Sequence, residues 1–427
     1  MPSPAVMGII ILLLVIVLYV TEIIPLAVTA VGGALLMIWF QVTTFATAFS
    51  GFASDSTWMV IGMVMVGAAL FETGLAATMG AAIMKAINSE AKLILIVYPF
   101  AMLMSAFLNN SATTSTFMPI IQAISASSGG KISAKRMLMP LAFAATSGGM
   151  LTLVGSTPPV LVNGLMEKTE GLTPFGFFEF GYIGLPICVL LIIYCLTIGQ
   201  AMTKRMWKDE EEVVQNVVIE TKQYSKTKMT TAGLILAFCI IGFVLQGTVF
   251  SSYFTLGTVS TTGAMLTVIC GCMSIKRLYE LTDWNTFFVL AGAIGFAAGL
   301  DKCGSGQLIA DKTVEMLGNS SSFVVYAAFV SIGIIMTQMM SNTACTAMMG
   351  PIGIFVAQGM GFSPMPILMG LANGCAAAYM TPVGTPPNTI VLGGGNYSFM
   401  DYVKLGTPFQ VISMVVIIAG CPLIWPL

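Results

Sequence analysis

Long apolar segments fill most of this chain, and short polar breaks divide them. A helix needs about 20 apolar residues to cross a membrane. On that criterion the pattern indicates an all-α polytopic membrane protein with about ten transmembrane helices. The predicted spans are residues 6–21, 26–42, 57–73, 136–167 (broken), 182–203, 229–247, 254–274, 284–300, 364–396 (broken) and 406–426.

Two further apolar segments, 92–126 and 322–358, carry a polar triplet near their centre. The triplets are Asn109-Asn110-Ser111 and Ser341-Asn342-Thr343. If both arms of each segment crossed the membrane, the triplets would lie in exposed loops. Apolar arms with a short polar tip favour a re-entrant hairpin, whose irregular backbone is tolerated where protein or a cavity surrounds it.

The two halves of the chain repeat this pattern at a fixed distance. The pairs 232 residues apart are Asn110 and Asn342, Ser111 and Thr343, Ala112 and Ala344, Thr114 and Thr346, and Pro119 and Pro351. Each triplet is followed by a second polar break. These breaks are Gly155-Ser156-Thr157-Pro158-Pro159 and Gly384-Thr385-Pro386-Pro387-Asn388. Paired breaks in a hydrophobic chain are typical of transporters built from repeats, with the binding site where the breaks meet.

The repeats predict the domain organisation. Residues 1–203 form the first repeat, residues 204–228 a polar linker, and residues 229–427 the second repeat. Each repeat has five spans and one hairpin, and because five is odd the second repeat is inverted relative to the first. The first hairpin then enters the membrane from the cytoplasm and the second from outside.

Basic residues give this topology an orientation. Alternating sides at each span puts all but Lys168, Lys302 and Lys312 on one side, which the positive-inside rule makes cytoplasmic. Those on the cytoplasmic side are Lys85, Lys92, Lys131, Lys135, Arg136, Lys204, Arg205, Lys208, Lys222, Lys226, Lys228, Lys276, Arg277 and Lys404. The linker is therefore cytoplasmic, both termini lie outside, and the expected location is the plasma (inner) membrane.

Composition excludes several classes of protein. The chain is 57% hydrophobic and 8% charged, with a mean hydropathy of +0.93, whereas soluble domains average about 25% charged residues. A net charge of −1 gives no reason to expect a nucleic-acid partner. The absence of histidine removes the commonest metal ligand. Without a metal cluster or a paired nucleophile and base, the chain is not expected to be an enzyme.

The polar breaks suggest what is bound. The start of a hairpin's second arm exposes backbone N–H groups that favour an anion, and facing carbonyls and hydroxyls can bind a hard cation. No Arg, Lys or His lies in the four segments. A bound anion would therefore need a cation beside it, since uncompensated charge in a membrane is expensive. The alternative is that these polar residues only hold helices together.

Two acidic residues, Glu22 and Glu72, are predicted at helix ends near the membrane interface. Proton antiport needs an essential acid in the middle of the membrane, so their placement argues against that activity.

Four segments carry a family resemblance. They are Thr21 to Ala30, the helix from Trp58 to Gly74, the triplet Ser341-Asn342-Thr343, and Pro382 to Val391. With these segments the chain resembles the divalent-anion/sodium symporter family, whose members carry dicarboxylates, tricarboxylates or sulfate. The resemblance covers nearly the whole chain, and it implies a homodimer in membrane lipid and an elevator-type movement of the hairpin domain.

The resemblance also implies two sodium sites and an anion site. The first sodium site would use Ser105, Asn109, Asn110 and Gly155. The second would use Thr337, Met340 through its carbonyl, Asn342 and Gly384. Substrate contacts would fall on Asn110, Ser111, Asn342, Thr343 and Thr385.

The sequence departs from the family pattern in its first repeat. The first tip is Asn-Asn-Ser where the family usually has Ser-Asn-Thr, and the first break lacks the closing Asn of the second.

The expected function is sodium-coupled symport of a small divalent anion, above all a C4-dicarboxylate. The open alternatives are sodium-independent anion exchange and an ion-only carrier, either a sodium/proton antiporter or an arsenite-type permease.

Overall fold

A computed structural model describes residues 2–75, 78, 87–208, 225–245 and 253–427. Most of the predicted linker, residues 209–224, lies outside the described residues, as do the basic residues Lys85 and Lys222.

The described residues form twenty α-helices, numbered here in chain order, and one 3₁₀ turn at Ser50–Ala53. The helices of the first half are α1 Pro4–Thr21, α2 Leu26–Trp39, α3 Phe45–Ala48, α4 Asp55–Glu72, α5 Glu90–Ser105, α6 Asn110–Ser127, α7 Ala134–Gly148, α8 Thr157–Lys168, α9 Gly181–Leu196 and α10 Ile198–Met206. Those of the second half are α11 Lys226–Leu245, α12 Leu256–Ile269, α13 Ile275–Leu281, α14 Trp284–Lys302, α15 Ser305–Leu317, α16 Ser322–Met336, α17 Asn342–Met360, α18 Pro364–Ala376, α19 Pro386–Gly394 and α20 Phe399–Ile424.

The helices confirm the all-α membrane class. Each predicted span contains a helix, and each predicted hairpin consists of two helices that meet at the polar triplet, α5 with α6 and α16 with α17. By length and composition, six described helices can cross a membrane, or up to eight if two bent pairs each count as one span. One bent pair joins α15 to α16 at 115°. The apolar pattern does not predict α15, because polar and charged residues interrupt its apolar positions.

Two broken helices lie at the centre of the molecule. Residues 137–150 and 366–379, which run through α7 and α18 and just past their ends, are all buried. The chain then runs irregularly and resumes as α8 and α19, which carry Pro at their first turns, where a missing N–H costs nothing. Protein therefore encloses most of each break, with Val383 as an exposed position, in keeping with irregular backbone at membrane depth.

The two halves interlock around these breaks. Helix α19 of the second half packs on α6 and α7, and α8 of the first half packs on α17 and α18. A separate set of contacts joins α2 to α14 and α4 to α12. The hairpins and broken helices form one packed group, and α8 of that group also packs on the long helices α14 and α4.

Large apolar side chains remain exposed along the outer helices. Examples are Leu13 and Val17 on α1, Leu185 on α9, Ile241 on α11 and Val415 on α20. A contiguous apolar surface of this kind on a multi-pass protein is the face that lipid covers.

Candidate functional site

Each hairpin tip begins a helix inside the molecule. At the first tip the Asn109 side chain caps α6, because its Oδ1 accepts a hydrogen bond from the Ser111 backbone N–H at 2.8 Å. At the second tip Ser341 stands before α17 without a side-chain cap. The two tips thus differ in whether a side chain already accepts a hydrogen bond from a backbone N–H at the helix start.

A cavity of about 540 Å³ lies between the two tips and the two breaks. All five residues predicted to contact substrate line it: Asn110, Ser111, Asn342, Thr343 and Thr385. The structure thus brings together segments that are more than 200 residues apart in the chain, in agreement with the prediction that the breaks meet.

Behind the first tip, oxygen atoms converge on the Asn110 carboxamide. With its oxygen inward, Asn110 accepts a hydrogen bond from Ser105 Oγ at 2.6 Å. With its nitrogen inward, it donates to the carbonyls of Gly155 at 2.9 Å and Ala145 at 3.3 Å. One end of a single carboxamide therefore faces a hydroxyl and two carbonyl oxygens.

The second tip has the same arrangement around Asn342. Thr337 Oγ1 lies 2.7 Å from Asn342 Oδ1 and donates toward the Cys375 carbonyl at 2.8 Å. With its nitrogen inward, the Asn342 carboxamide donates to the carbonyls of Cys375 at 2.9 Å and Gly384 at 2.8 Å. This cluster and the first are built from residues 229 to 232 positions apart.

The chemistry of these two clusters suits a hard cation. When the carboxamide oxygen points inward, each cluster presents two side-chain oxygens and two carbonyls and contains no charged group. Unwound carbonyls beside helix ends are the ligands with which transporters hold sodium. Ser105, Asn110 and Gly155 thus meet as predicted, and so do Thr337, Asn342 and Gly384.

Two residues of the predicted sodium sites lie at the edge of these clusters. The Asn109 side chain is used as the α6 cap, and its carbonyl accepts the Thr113 N–H at 3.0 Å. Met340 is buried and lines the cavity. Their part in binding a cation stays a prediction.

The sequence interpretation misses the residues that hold each break against its hairpin. The hydroxyl of Thr152 donates to the Ala106 carbonyl, and the hydroxyl of Thr381 donates to the Gln338 carbonyl. Gln338, which is buried, also donates to the Ala377 carbonyl at 3.0 Å and accepts from the Met380 N–H at 3.0 Å. The spacing of Thr152 and Thr381 equals that of Gly155 and Gly384, so a repeat alignment extended through the breaks would have found them.

The charged residues that line the cavity between the tips are acidic. They are Glu22 and Asp283, and the described lining contains no Lys or Arg. Glu22 lies at the end of α1, as expected, and its carboxylate also lines the cavity, where Oε1 accepts the Ser341 N–H at 3.2 Å. Its position relative to the membrane interface stays a prediction. An anion that enters this cavity therefore meets negative charge.

A neighbouring cavity of about 550 Å³ shares Ser111, Gly155 and Thr157 with the first. It is mostly apolar and reaches Arg277, whose guanidinium pairs with Glu72 at 3.3 Å and Glu280 at 3.2 Å. The hydrogen bonds that Arg277 donates to Glu280 and Glu72 raise the pKa of its guanidinium. This neighbouring cavity connects the first tip with the end of α4 and with α13.

Comparison with known proteins identifies relatives of this chain. A family model described as citrate transporter, CitMHS, matches residues 16–372 and 258–426. An uncharacterized transporter of Haemophilus influenzae is 26% identical, covering 98% of this chain and 91% of its own. The sodium-dependent high-affinity dicarboxylate transporter 3 of Caenorhabditis elegans is 25% identical, covering 91% of this chain and 77% of its own.

A solved structure shares the fold. The YdaH transporter of Alcanivorax borkumensis, whose crystal structure is described as having an unusual topology, superposes with a TM-score of 0.69. It is 13% identical in sequence and covers 100% of this chain and 99% of its own. The arrangement of helices therefore matches that of the YdaH transporter.

Proposed function

Since the chain belongs to the CitMHS citrate transporter family, and resembles the divalent-anion/sodium symporters in its motifs, we propose that it is a sodium-coupled symporter. Its substrate is a small divalent anion, above all a C4-dicarboxylate. The observation that carries this proposal is the pair of matching oxygen clusters around Asn110 and Asn342. A relative named as a sodium-dependent dicarboxylate transporter supports the same ion and substrate class.

In this proposal each cluster holds one sodium ion. Asn110 and Asn342 turn their carboxamide oxygens toward the ion and leave their amide nitrogens toward the cavity. Ser105, Thr337 and the surrounding carbonyls supply the other ligands. The ions then stand directly behind the tips and offset the charge of the anion in front of them.

The anion lies between the tips in the cavity of about 540 Å³. One carboxylate faces the first tip at Asn110 and Ser111, and the other faces the second tip at Asn342 and Thr343, with Thr385 beside it. Helix starts, neutral amides and hydroxyls donate to the carboxylates. The absence of Lys and Arg from the described lining favours cation coupling over sodium-independent exchange, because nothing else there offsets two negative charges.

The same proposal includes the way in which the site changes sides. The neighbouring cavity leads from the first tip toward Arg277 and Glu72, which the basic-residue pattern assigns to the cytoplasmic side. The conformation is then inward-facing. The hairpins and broken helices move together as an elevator against the group formed by α2, α4, α12 and α14, within a homodimer of the plasma membrane.

Uptake of labelled succinate into proteoliposomes tests the proposal. One set receives an inward sodium gradient, a second receives choline in place of sodium, and a third contains unlabelled succinate inside. Accumulation only with the sodium gradient is expected. Unlabelled malate, citrate and sulfate, added outside as competitors, then rank the substrates.

Two results would contradict the proposal. Uptake that ignores sodium but requires internal succinate would make the protein an exchanger. Uptake of none of these anions under any condition would remove the substrate class and leave only the transporter fold.

A further inference from the structure

Glu22 ends α1 in the left-handed backbone conformation, with a φ of +49°, that often closes a helix. Its backbone N–H donates to the Leu18 carbonyl at 3.0 Å as the helix cap. Here the residue in that conformation carries a carboxylate into the cavity between the tips.

The second hairpin tip binds that carboxylate. The Ser341 backbone N–H donates to Glu22 Oε1 at 3.2 Å. The two residues lie on different parts of the molecule, since Glu22 follows α1 and precedes α2, which packs on α14, whereas Ser341 starts the second arm of the hairpin. A carboxylate of the chain itself therefore rests on a donor that the tip presents to the cavity.

We propose that Glu22 competes with the transported anion for the second tip, an inference that rests on the proposed function. The tip has one Ser341 N–H, and two carboxylates cannot share it at short range because their charges repel. The anion must therefore displace Glu22 when it binds, and Glu22 returns to the tip when the anion leaves.

This competition has two physical effects. The apparent association constant for the anion equals the intrinsic one multiplied by the fraction of molecules in which the tip is free. In addition, the Ser341 N–H keeps a hydrogen-bond partner when no anion is present, so the empty site contains no unsatisfied donor at this position. Glu22 thus sets how tightly the anion is held and helps to release it.

Simple charge repulsion is the rival explanation, and the length of the side chain separates the two. Glu22 Oε1 lies 3.2 Å from the Ser341 nitrogen. An aspartate at position 22 keeps the negative charge in the cavity but is one methylene shorter, so we expect its carboxylate to fall short of hydrogen-bond distance from the Ser341 N–H. Competition predicts that Glu22→Asp binds the anion more tightly than the native protein. Repulsion alone predicts an unchanged affinity.

Equilibrium binding of radiolabelled succinate to the purified full-length protein in saturating sodium tests the inference. We expect the dissociation constant to fall about tenfold in Glu22→Ala and in the same direction in Glu22→Asp. In proteoliposomes the KM should fall without a matching gain in the maximal rate. Glu315→Gln, which removes an exposed acid paired with Lys312, is the matched control and should bind as the native protein does.

The possible failures are distinguishable. If the native protein binds succinate but Glu22→Asp binds it equally or more weakly, competition is wrong and the proposed function stands. If neither the native protein nor any variant binds succinate, malate, citrate or sulfate in sodium, the proposed function itself fails, and the inference with it. A melting temperature measured for each variant without ligand identifies any loss of affinity that comes from misfolding.

Discussion

The hydroxyls of Ser147 and Tyr379 lie 2.8 Å apart in the interior and form a hydrogen bond between the two broken helices. Ser147 is near the end of α7, and Tyr379 follows α18, so the bond joins the first half of the chain to the second. Both residues are fully buried, and Phe143 and Phe409 pack edge-on against the Tyr379 ring. The bond therefore fixes the two breaks relative to each other behind the site.

Removing either hydroxyl should destabilise the protein by about 0.5 to 1.5 kcal/mol, because the bond between the halves is lost while Ser413 remains a partner for Tyr379. Tyr379→Phe and Ser147→Ala should each lower the melting temperature. The double variant should lose less than the sum of the two, as a double-mutant cycle shows for groups that interact. If the stability loss of the double variant equals the sum of the two single losses, the hydrogen bond does not couple the two halves energetically.

Asn342→Ala should abolish sodium-dependent uptake while the protein stays folded. Asn342 contributes the only side-chain group that faces both the Cys375 and Gly384 carbonyls in the described cluster. Loss of such a ligand should cost more than the about 10- to 100-fold in affinity typical of outer-shell partners. Uptake into proteoliposomes measures the effect, with Asn319→Ala, an exposed loop position, as control. Native uptake by Asn342→Ala would remove the second tip from the site.

Thr337→Val and Ser105→Ala should each raise the sodium concentration that gives half-maximal uptake, by about tenfold. Each change removes one hydroxyl from one cluster and leaves the other cluster intact. If both clusters bind sodium, native uptake depends on sodium with a Hill coefficient above one, and each variant lowers it. Thr262→Val, on an exposed helix face, should leave the sodium curve unchanged. A normal sodium curve in both cluster variants would contradict the assignment.

Gly149→Ala should weaken sodium binding at the first cluster, because it displaces the Asn110 carboxamide. A Cβ at Gly149 would overlap the Asn110 carboxamide, while the backbone φ of −62° is one that alanine adopts without strain. The change should therefore raise the half-saturating sodium concentration more than it lowers the melting temperature. The control is Gly393→Ala, whose Cβ would meet open space and whose effect should be a gain of about 0.5 to 1 kcal/mol in helix stability. If uptake depends on the sodium concentration in the same way in Gly149→Ala and Gly393→Ala, sodium binding does not require the present position of Asn110.

The helices and the meeting of the tips could be predicted from the sequence because both depend on patterns along the chain. The length of each apolar segment indicates the membrane spans. The fixed offset between Asn110 and Asn342 indicates that the two halves are repeats whose tips correspond. The Pro-Pro segments end one helix and begin the next whatever surrounds them. Helix α15 is not predicted, because polar and charged residues interrupt its apolar positions.

The remaining parts of the site depend on contacts that sequence spacing does not reveal. The carbonyls of Ala145 and Cys375 join the clusters through their backbone, and any residue type could supply them. Glu22 meets Ser341 across 319 residues of chain, and nothing in its neighbours indicates which element it reaches. Residues of this kind become visible only when the helices are packed.

On the proposed function, the acidic lining of the cavity sets the order in which sodium and the anion bind and leave. With Glu22 and Asp283 at its walls, the empty cavity attracts cations and repels a dianion. On the proposed function, sodium binds first and offsets this negative charge, and the anion follows. Where the sodium concentration is low, the cations leave, and the anion then faces two carboxylates without them. The difference in sodium concentration across the membrane would then set the direction of net anion transport.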